Sequence, residues 1–463
     1  MALNENENEN HDGMISDVTS AMEDIQIPDH DMGDSTTSTS PPTASSHPAL
    51  ITPDPARRRP LDDIAQAGPH ANPIDFPRPT FERGRRDNVL CYNEQTGSHD
   101  VFQGVLFRDY SREFGDEDGA LHRVKQAYWP LPYKEVITTI MGHVEICIVL
   151  TRCIQEADDD SNSSDDDEDE ADQDIVFQVT TKIVAVKVNY CDRMERLRAK
   201  HAEDPLKEIA AMELIGNSHP NVMGTIEVLF DGTNLNVVMP YCRSGDMFEL
   251  LQETQTAHPD VPGLSEPTAR YWFRQVLDGV QFLHSKGICH RDLSPENVMI
   301  DGNGALIIDM GMCLRVPYSD LNNPEQATDI TNGSMRRLIL PQGACGKLPY
   351  MSPEIYRNHS SFDAGAVDVW TAGTILFCMI SGNRSYQRPH ESDPQFYWMT
   401  HGLARLISDW GVKVSDECLH LLQNMLQIDP RLRLTLDECI HHPWFAHPDE
   451  PPPRADPHRA HTW

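Results

Sequence analysis

The chain has 463 residues, enough for two or three domains and a large hydrophobic core. Its net charge of −34 argues against a general nucleic-acid binder, because phosphate contacts require clustered Lys and Arg. No apolar run reaches the roughly 18–20 residues of a membrane span, and the N-terminus lacks the pattern of a secretory signal. Eleven scattered cysteines without zinc spacing predict reduced thiols in a cytosolic or nuclear protein.

The two ends of the chain and its first ordered part differ in composition. Residues 1–85 contain NENENEN and STTSTSPPTASSHP, which bury almost nothing, so we predict a disordered acidic arm rich in Ser, Thr and Pro. Residues 86–129 regain aromatic side chains and predict an ordered N-terminal extension whose function the sequence does not indicate. Residues 447–463 predict a Pro-rich exposed tail.

A second acidic tract lies between two segments rich in β-branched residues that read as strands. Twelve of the nineteen residues from 156 to 174 are Asp or Glu, and a block of like charge cannot pack. The tract is therefore predicted to be a loop inserted between two strands. It is either a plain solvated loop or a switch, because Ser163 and Ser164 precede the acidic run and suit an acid-directed kinase.

The sequence KIVAVKV predicts a strand with two different faces. Alternation places Val184, Val186 and Val188 in a core, and Ala185 and Lys187 on the other face. A small residue beside a lone lysine leaves room for a flat ligand that carries a phosphate near the ammonium. The alternative is an edge-strand lysine in solvent.

Helix signals follow in DPLKEIAAMELIGN. Asp204 can cap the helix, Pro205 suits its first turn, and Gly216 suits its end. Glu208 lies on this helix, where a carboxylate can hold the Lys187 ammonium in place. Taken alone, Glu208 would be a surface charge.

The apolar strand LNVVMPYC breaks at Pro240 and predicts a hinge between two lobes at about residues 239–246. An adenine ring needs a backbone carbonyl and a backbone N–H two residues later. Pro240 keeps its carbonyl and Cys242 keeps its N–H, so the proline does not harm such a site. Asp246 is a candidate acceptor for a ribose hydroxyl.

A helix with apolar residues at helical spacing, 266–287, delivers the chain to CHRDLSPENVMIDG. This stretch places the Asp292 carboxylate and the Asn297 carboxamide five residues apart, and Asp309 follows in LIIDMG. Two acids and an amide at this spacing indicate a phosphoryl-transfer site.

In this order the motifs resemble those of the eukaryotic protein kinases of the serine/threonine type, closest in style to the calcium/calmodulin-dependent-kinase-like group. The resemblance covers about residues 130–446 and rests on VAVK, HRDLSPEN, DMG, GKLPYMSPE, DVWTAG and LLQNMLQIDPRLRLTLDECIHHPWF. It implies an α+β, two-lobed kinase fold. A small β-rich N-lobe would carry one regulatory helix, and a larger C-lobe would be mainly α-helical.

The resemblance also implies a role for each core residue in transferring the γ-phosphoryl group of ATP to Ser or Thr hydroxyls of proteins. Lys187, held by Glu208, would grip the α- and β-phosphates. Asn297 and Asp309 would hold two Mg²⁺ ions, and Asp292 would orient the substrate hydroxyl and accept its proton.

Structural roles are implied as well. Glu354 and Arg433 are expected to form a buried ion pair, and Asp368 to brace the His-Arg-Asp turn. His290 and Met310 are expected in the apolar stack that aligns the lobes, where a flexible methionine can fill the space of a phenylalanine.

The phosphate-covering loop departs from the family pattern. In TIMGHVEICIV only Gly142 and Val149 fit Gly-x-Gly-x-x-Gly-x-Val. Side chains in place of glycines hinder the close approach of the backbone to phosphates. Weaker or slower ATP binding is therefore expected.

A second departure concerns two positions at once. Ser294 replaces the lysine that usually touches the transferred phosphate, and Lys347 replaces the threonine that usually pairs with that lysine. We hypothesise that Lys347 reaches into the site and supplies the missing cation. The alternative is that Lys347 points into solvent.

The long activation segment, about 309–354, offers several acceptors for an upstream kinase, and Arg291 is a candidate partner for a phosphate there. No sequence rule selects among these acceptors, which are Ser319, Thr328, Thr331 and Ser334.

Two functions remain open from the sequence. An active kinase is favoured because all four core chemical residues, Lys187, Asp292, Asn297 and Asp309, are present. The alternative is a pseudokinase that acts as a binding or scaffold module, suggested by the glycine-poor loop, Ser294 and the acidic arms. For an active kinase, the overall acidity and Asp246 favour protein substrates that are basic near the phosphoacceptor, and no nucleic-acid partner or membrane span is expected.

Overall fold

A computed structural model describes residues 59, 70–93, 97–111, 123–132, 137–153, 176–197, 204–320, 322–331 and 334–451. All of them belong to the unit Leu50–Trp463, one of two into which the chain divides. Most of the predicted disordered arm, the acidic tract 156–174 and residues 452–463 of the predicted tail lie outside the described residues.

A mostly antiparallel sheet of eight strands forms the first lobe. In chain order the strands are β1 (Glu82–Asn93), β2 (Ser98–Arg108), β3 (Gln126–Pro130), β4 (Ile137–Thr138), β5 (Gly142–Arg152), β6 (Val176–Tyr190), β7 (Glu227–Phe230) and β8 (Asn234–Pro240). Their spatial order is β3-β2-β1-β7-β8-β6-β5-β4. Because β3 also pairs with β5 and β1 with β6, the strands β1, β2, β3, β5 and β6 close into a ring.

The N-terminal strands are continuous with the rest of this sheet. Tyr128 of β3 pairs with Val149 of β5, and Leu90 of β1 pairs with Val176 of β6. The predicted division between an extension at 86–129 and a domain from 130 therefore does not correspond to a break in the sheet. Buried apolar side chains of these strands form one cluster, which includes Cys91, Val105, Phe107, Leu150 and Phe177.

Two helices accompany the sheet, α1 (Cys191–Leu197) and α2 (Pro205–Ile215). The capping signals of α2 act as predicted, since the Asp204 side chain accepts a hydrogen bond from Leu206 N at 3.1 Å. At the other end Gly216 adopts φ 62°, a conformation that favours glycine, and its N–H donates to Met212 O.

The second lobe is mainly helical. Its α-helices are α3 (Met247–Ala257), α4 (Glu266–Ser285), α5 (Pro353–Arg357), α6 (Ala364–Ser381), α7 (Pro394–His401), α8 (Leu403–Asp409), α9 (Asp416–Met425) and α10 (Leu436–Ile440). Short 3-10 helices span Pro295–Asn297, Met310–Met312 and Pro443–Ala446. The short strands are β9 (Ile288–Cys289), β10 (Val298–Asp301), β11 (Gly304–Ile307), β12 (Leu314–Arg315), β13 (Tyr318–Asp320), β14 (Asn323–Thr328) and β15 (Met335–Arg336). The predicted α+β organisation in two lobes is thereby confirmed.

Helix α6 is the centre of the helical lobe, and every residue in it is buried. By length and composition it would also fit a membrane span, a property that it shares with the core helices of many proteins. Around it, α4 contributes apolar residues at helical spacing, with Ala269, Phe273, Val276 and Val280 all buried.

The predicted ion pair of this lobe is present and well buried. Arg433 donates to the two carboxylate oxygens of Glu354 at 2.7 and 3.2 Å, and also to Ala366 O and Gln427 O. The Arg433 side chain is 0% exposed. Such a two-pronged, buried pair needs the additional carbonyl acceptors to offset the loss of water.

The predicted disordered arm and the predicted exposed tail both need correction where they meet the fold. The prediction of disorder up to residue 85 fails for residues 70–85, because Ala71 N donates to Leu338 O at 3.1 Å and β1 begins at Glu82. Composition could not indicate this, since main-chain hydrogen bonds to residues far away in the chain hold much of the segment. The beginning of the predicted exposed tail also packs on α4, where Asp449 pairs with Arg274 at 2.9 Å.

Candidate active site

The predicted pairing of strand β6 with helix α2 is present. Lys187 Nζ donates to both carboxylate oxygens of Glu208 at 2.8 Å, and the two side chains are 21% and 10% exposed. Strand alternation explains the position of the lysine, because Val184, Val186 and Val188 are all buried on the other face. A half-buried ammonium fixed by one carboxylate is suited to grip a phosphate.

Asp292, in the loop after β9, is held by hydrogen bonds from two residues. Lys347 N donates to Asp292 Oδ1 at 3.0 Å, and Asn297 Nδ2 donates to the Asp292 carbonyl at 2.7 Å and to Oδ2 at 3.3 Å. Burial raises the pKa of Asp292 above its ordinary value, and the neighbouring Lys347 ammonium opposes that rise. The carboxylate is therefore oriented, and more basic than a solvated aspartate.

Asp368 braces this loop as predicted. Its carboxylate accepts the N–H groups of His290 and Arg291, both at 2.9 Å. Burial acts against ionisation of Asp368, but the hydrogen bonds, led by that from His284, hold its pKa below the ordinary value. The brace matters because Arg291 has φ 66°, a conformation that a non-glycine residue adopts only when its surroundings enforce it.

Asn297 and Asp309 lie side by side, since Ile308 N donates to the Asn297 carbonyl at 3.0 Å. Asp309 adopts φ 66° and accepts Gly311 N at 3.1 Å through Oδ1. Carboxylate and amide oxygens are the donors that Mg²⁺ prefers, and it is often held by one or two such groups together with phosphates. These two residues therefore fit a divalent cation that is shared with a nucleotide, once Asn297 Oδ1 is released from the Lys347 ammonium, which donates to it here at 3.0 Å.

Lys347 points into the site and not into solvent. Its ammonium donates to Ser294 Oγ at 2.7 Å and to Asn297 Oδ1 at 3.0 Å. The preceding Gly346 allows the close approach, because it has φ 90° and a Cβ there would lie 3.1 Å from Asp292 Oδ1. The structure thus brings the hypothesised cation to the catalytic loop.

The neighbours of Ala185 and Lys187 on strand β5 differ from those that the sequence indicated. Ala185 pairs with Ile146, and Lys187 with Val144, so these side chains share a face. Val144 therefore takes the place that we predicted for Val149.

Val149 itself lies on the opposite face, in a buried cluster with Val184 and Val186. The structure does not bring it to the Lys187 face, which corrects the prediction. The sequence alignment treated Gly142 as the first glycine of the loop, but Gly142 opens strand β5 and corresponds to the end of the loop. Only the strand register could reveal this shift.

The turn before β5 is closed by its own hydrogen bonds. Thr139 N donates to Gly142 O, and Gly142 N donates to Thr139 Oγ1, both at 3.0 Å. A Cβ on Gly142 would overlap the carbonyl oxygen of Val188, so strand packing requires this glycine. Two N–H groups of the turn are thus engaged within it, and weaker ATP binding stays a prediction.

At the predicted hinge, β8 ends at Pro240, which pairs with Val184, and Cys242 is 6% exposed. Asp246 caps helix α3 by accepting Glu249 N at 2.9 Å. Burial raises the pKa of Asp246, and the Glu249 carboxylate adds to the rise. One Asp246 oxygen is therefore committed to the helix, and contact with a ribose stays a prediction.

Glu296 is a site residue that sequence reasoning missed. Its Oε1 accepts the Tyr350 hydroxyl at 3.3 Å, whereas its Oε2 is buried and has no hydrogen-bond partner. Its negative charge is close enough to Asp246 to raise the pKa of that carboxyl. The signal was an acid inside HRDLSPEN, beside the predicted site residues Asp292 and Asn297.

The candidate phosphoacceptors of the activation segment differ in exposure. Ser319 is 2% exposed, and its hydroxyl has no hydrogen-bond partner. The Ser334 hydroxyl donates to Thr331 O at 2.7 Å, and the Thr328 hydroxyl to Asp329 O at 3.1 Å. Burial makes Ser319 inaccessible in this conformation, and phosphorylation of the other three stays a prediction.

A family model described as the protein kinase domain matches residues 174–445. This chain belongs to the protein kinase family. The match begins just before β6, so strands β1–β5 of the kinase lie outside it. The predicted family is confirmed.

Several curated kinases are similar to this one. CBL-interacting protein kinase 16 of Oryza sativa subsp. japonica is 30% identical over 281 residues, which are 60% of this chain and 54% of the relative. Serine/threonine-protein kinase SRK2C of Arabidopsis thaliana is 32% identical over 231 residues, 49% of this chain and 60% of the relative. The SNF-related serine/threonine-protein kinase of Homo sapiens is 29% identical over 277 residues, 59% of this chain and 31% of the relative. The chain thus spans about half the length of many of the curated relatives it matches.

Proposed function

We propose that this kinase transfers the γ-phosphoryl group of ATP to serine or threonine hydroxyls of protein substrates. The observation that carries the proposal is the assembled ion pair of Lys187 with Glu208, formed while Asp292 and Asn297 are already hydrogen-bonded to each other. The names of several relatives, which specify serine/threonine kinases, support the acceptor class.

In this proposal most of the catalysis is positioning and charge neutralisation. Lys187 binds the α- and β-phosphates, and Glu208 fixes its position. Asp292 accepts a hydrogen bond from the substrate hydroxyl and takes its proton as the oxygen attacks phosphorus. Its raised pKa makes it a stronger proton acceptor than a solvated carboxylate.

Magnesium is the divalent cation that we propose for Asn297 and Asp309. When bound, Mg²⁺ supplies positive charge to the phosphate oxygens as negative charge shifts toward the leaving group. Asp309 is held for this role by its bond from Gly311 N, and Asn297 by its bonds to Asp292.

We further propose that Lys347 is the cation that faces the transferred phosphoryl group. Its ammonium lies 2.7 Å from the Ser294 hydroxyl, and its own N–H orients Asp292. A preorganised cation in a site shielded from water stabilises the developing charge more strongly than one in solution. The missing lysine at 294 is thereby replaced from the activation segment.

The substrate class that we propose is peptides with a basic residue near the phosphoacceptor. Glu296 has a buried oxygen, Oε2, without a hydrogen-bond partner. Its carboxylate lies near that of Asp246, so a guanidinium between them would relieve both. Glu296→Gln should raise the KM of an arginine-containing peptide about 10-fold while the KM of its alanine counterpart stays the same.

We also propose a reducing compartment, the cytosol or the nucleus, for this kinase. Nine of the eleven cysteines are buried, which supports the proposal. A fluorescent fusion of the full chain, imaged in cells, would test the location directly.

The experiment for the main proposal is phosphate transfer from labelled ATP with Mg²⁺ to the protein itself, to histone and to myelin basic protein. The wild-type full chain should label substrates, and Asp292→Asn should lower the rate by a factor of about 10²–10⁴ while it leaves folding intact. Nucleotide binding without transfer by the wild type, with or without prior phosphorylation, would favour the scaffold alternative.

A further inference from the structure

A segment upstream of the sheet, residues 70–81, runs along the activation segment and then reaches helix α2. We call it the strap. Near its start, Ala71 N donates to Leu338 O at 3.1 Å, and Leu340 N donates back to Ala71 O at 3.0 Å. The strap is thus paired, strand to strand, with the late part of the activation segment around Ile339.

The middle of the strap contacts the early part of the same segment. Ile74 N donates to Arg315 O at 3.0 Å, and Arg315 Nη1 donates to Asp75 O at 2.6 Å. The Arg315 guanidinium also lies over the ring of Phe76, 5.9 Å from its centroid, and Phe76 packs against the main core. The strap therefore contacts both the early and the late part of the activation segment.

The end of the strap contacts α2. Thr80 N donates to the two oxygens of Glu213 at 3.0 and 3.1 Å, and the Thr80 hydroxyl donates to Oε1 at 2.8 Å. All three hydrogen bonds have a charged acceptor, and such bonds are stronger than those between neutral groups. Glu213 lies on the same helix as Glu208, which holds Lys187.

The described residues of the activation segment are held by contacts within the protein itself. Its strands β13, β14 and β15 form a small sheet, and Arg336 pairs with Asp363 at 2.7 Å. Arg291, the predicted partner of a phosphate, here donates to Gly343 O and Met312 O at 3.3 and 3.4 Å, and its guanidinium lies over the ring of Phe362. The strap supplies the connection between this segment and α2 that a phosphate would otherwise have to make.

We propose that the strap is a built-in activator, in which Thr80 and Glu213 position α2, and thereby Glu208, while the bonds of Ala71 and Ile74 position the activation segment. The inference rests on the proposed kinase function. These are positioning residues, and none of them touches a reacting atom. A kinase held in this way is active without phosphate on its activation segment.

The test uses the full chain, purified without phosphate, and separates the two ends of the strap. Glu213→Ala removes all three bonds to Thr80 in a helix that tolerates alanine, and Glu253→Ala on α3 is the matched control of an exposed helical glutamate. Ile74→Pro removes the N–H that bonds Arg315 O, and Ile74→Ala keeps it. Thr80→Val removes only the hydroxyl of Thr80, and Thr80→Ser keeps a hydroxyl there.

Two readouts are needed, kinetics and amide hydrogen exchange. Glu213→Ala should lower kcat about 3- to 10-fold with an unchanged peptide KM, and should speed exchange in α2. Ile74→Pro should instead raise the peptide KM and speed exchange in the activation segment, while Ile74→Ala changes little. The effects of Thr80→Val on kcat and on exchange in α2 should be smaller than those of Glu213→Ala. The double variant should behave like Glu213→Ala alone, since both changes remove the same contact. The control Glu253→Ala should match the wild type, and so should Thr80→Ser.

Wild-type kinetics and exchange in both Glu213→Ala and Ile74→Pro would overturn the strap proposal. A loss of activity with uniformly faster exchange across the whole protein would also overturn it, because that pattern reports general destabilisation. If the wild type transfers no phosphate, the proposed function fails, and exchange in α2 and the activation segment still decides whether the strap positions them.

Discussion

The ammonium nitrogen of Lys347 lies 2.7 Å from the hydroxyl oxygen of Ser294. The family pattern would have the cation at 294 and the hydroxyl at 347, so the two groups have exchanged places and still meet. They meet because Lys347 N is bonded to Asp292 Oδ1 at 3.0 Å, which fixes the activation segment against the catalytic loop. The site keeps its positive charge although its source has moved.

This exchange predicts the behaviour of a set of variants. Lys347→Ala should lower kcat by a factor of about 10²–10³, because one cation facing the developing charge is lost. Placing the groups as in the family, with Ser294→Lys and Lys347→Thr together, should recover most of that loss, whereas either change alone should not. Steady-state kinetics at saturating ATP measures all four proteins. A wild-type rate for Lys347→Ala would rule the role out.

The acid limb of the pH–rate profile should depend on the charge of the Lys347 ammonium. Asp292 acts as a base only when ionised, so the rate should rise with pH through its pKa. Burial raises that pKa and the Lys347 ammonium lowers it, so Lys347→Met should raise it further and move the acid limb of kcat/KM to higher pH. Lys347→Arg keeps the charge and should leave the limb in place. An acid limb that stays in place in Lys347→Met would show that a group other than Asp292 controls it.

The buried ion pair of the helical lobe should matter for stability. Arg433→Ala leaves the Glu354 carboxylate without its partner and should lower the free energy of unfolding by about 3–5 kcal/mol. The control is Arg405→Ala, which breaks an exposed pair with Asp409 and should change stability by less than about 0.5 kcal/mol. Urea titration followed by circular dichroism gives both values. Similar effects of the two changes would contradict the prediction.

Gly142 should be intolerant of any side chain. An added Cβ would overlap the Val188 carbonyl oxygen, a main-chain atom that cannot move without breaking the pairing of β5 with β6. Gly142→Ala should therefore lower the melting temperature and raise the KM for ATP. Gly304→Ala is the control, since a Cβ there would meet its nearest neighbour, Asp301 O, at an ordinary 3.4 Å. Thermal melts and ATP titrations of the two variants distinguish these cases.

The sequence predicted which residues come together at the site where short local patterns carry them. Lys187, Asp292, Asn297 and Asp309 stand in motifs whose spacing is set by a single strand or loop, so residue order alone indicates their roles. The prediction for Val149 failed because two antiparallel strands can pair in several registers. The residue opposite Lys187 depends on that pairing, and no local pattern specifies it.

By itself the sequence therefore determined the family, the two-lobed architecture and the core residues, since hydrophobic periodicity and motif order are local properties of the chain. Only the tertiary structure decided that Lys347 faces Ser294, that Glu296 has an oxygen without a hydrogen-bond partner, and that residues 70–81 join the activation segment to α2. The first and the third of these features join residues far apart in the chain through hydrogen bonds. Such bonds depend on distance and angle in the folded protein, and composition does not encode them.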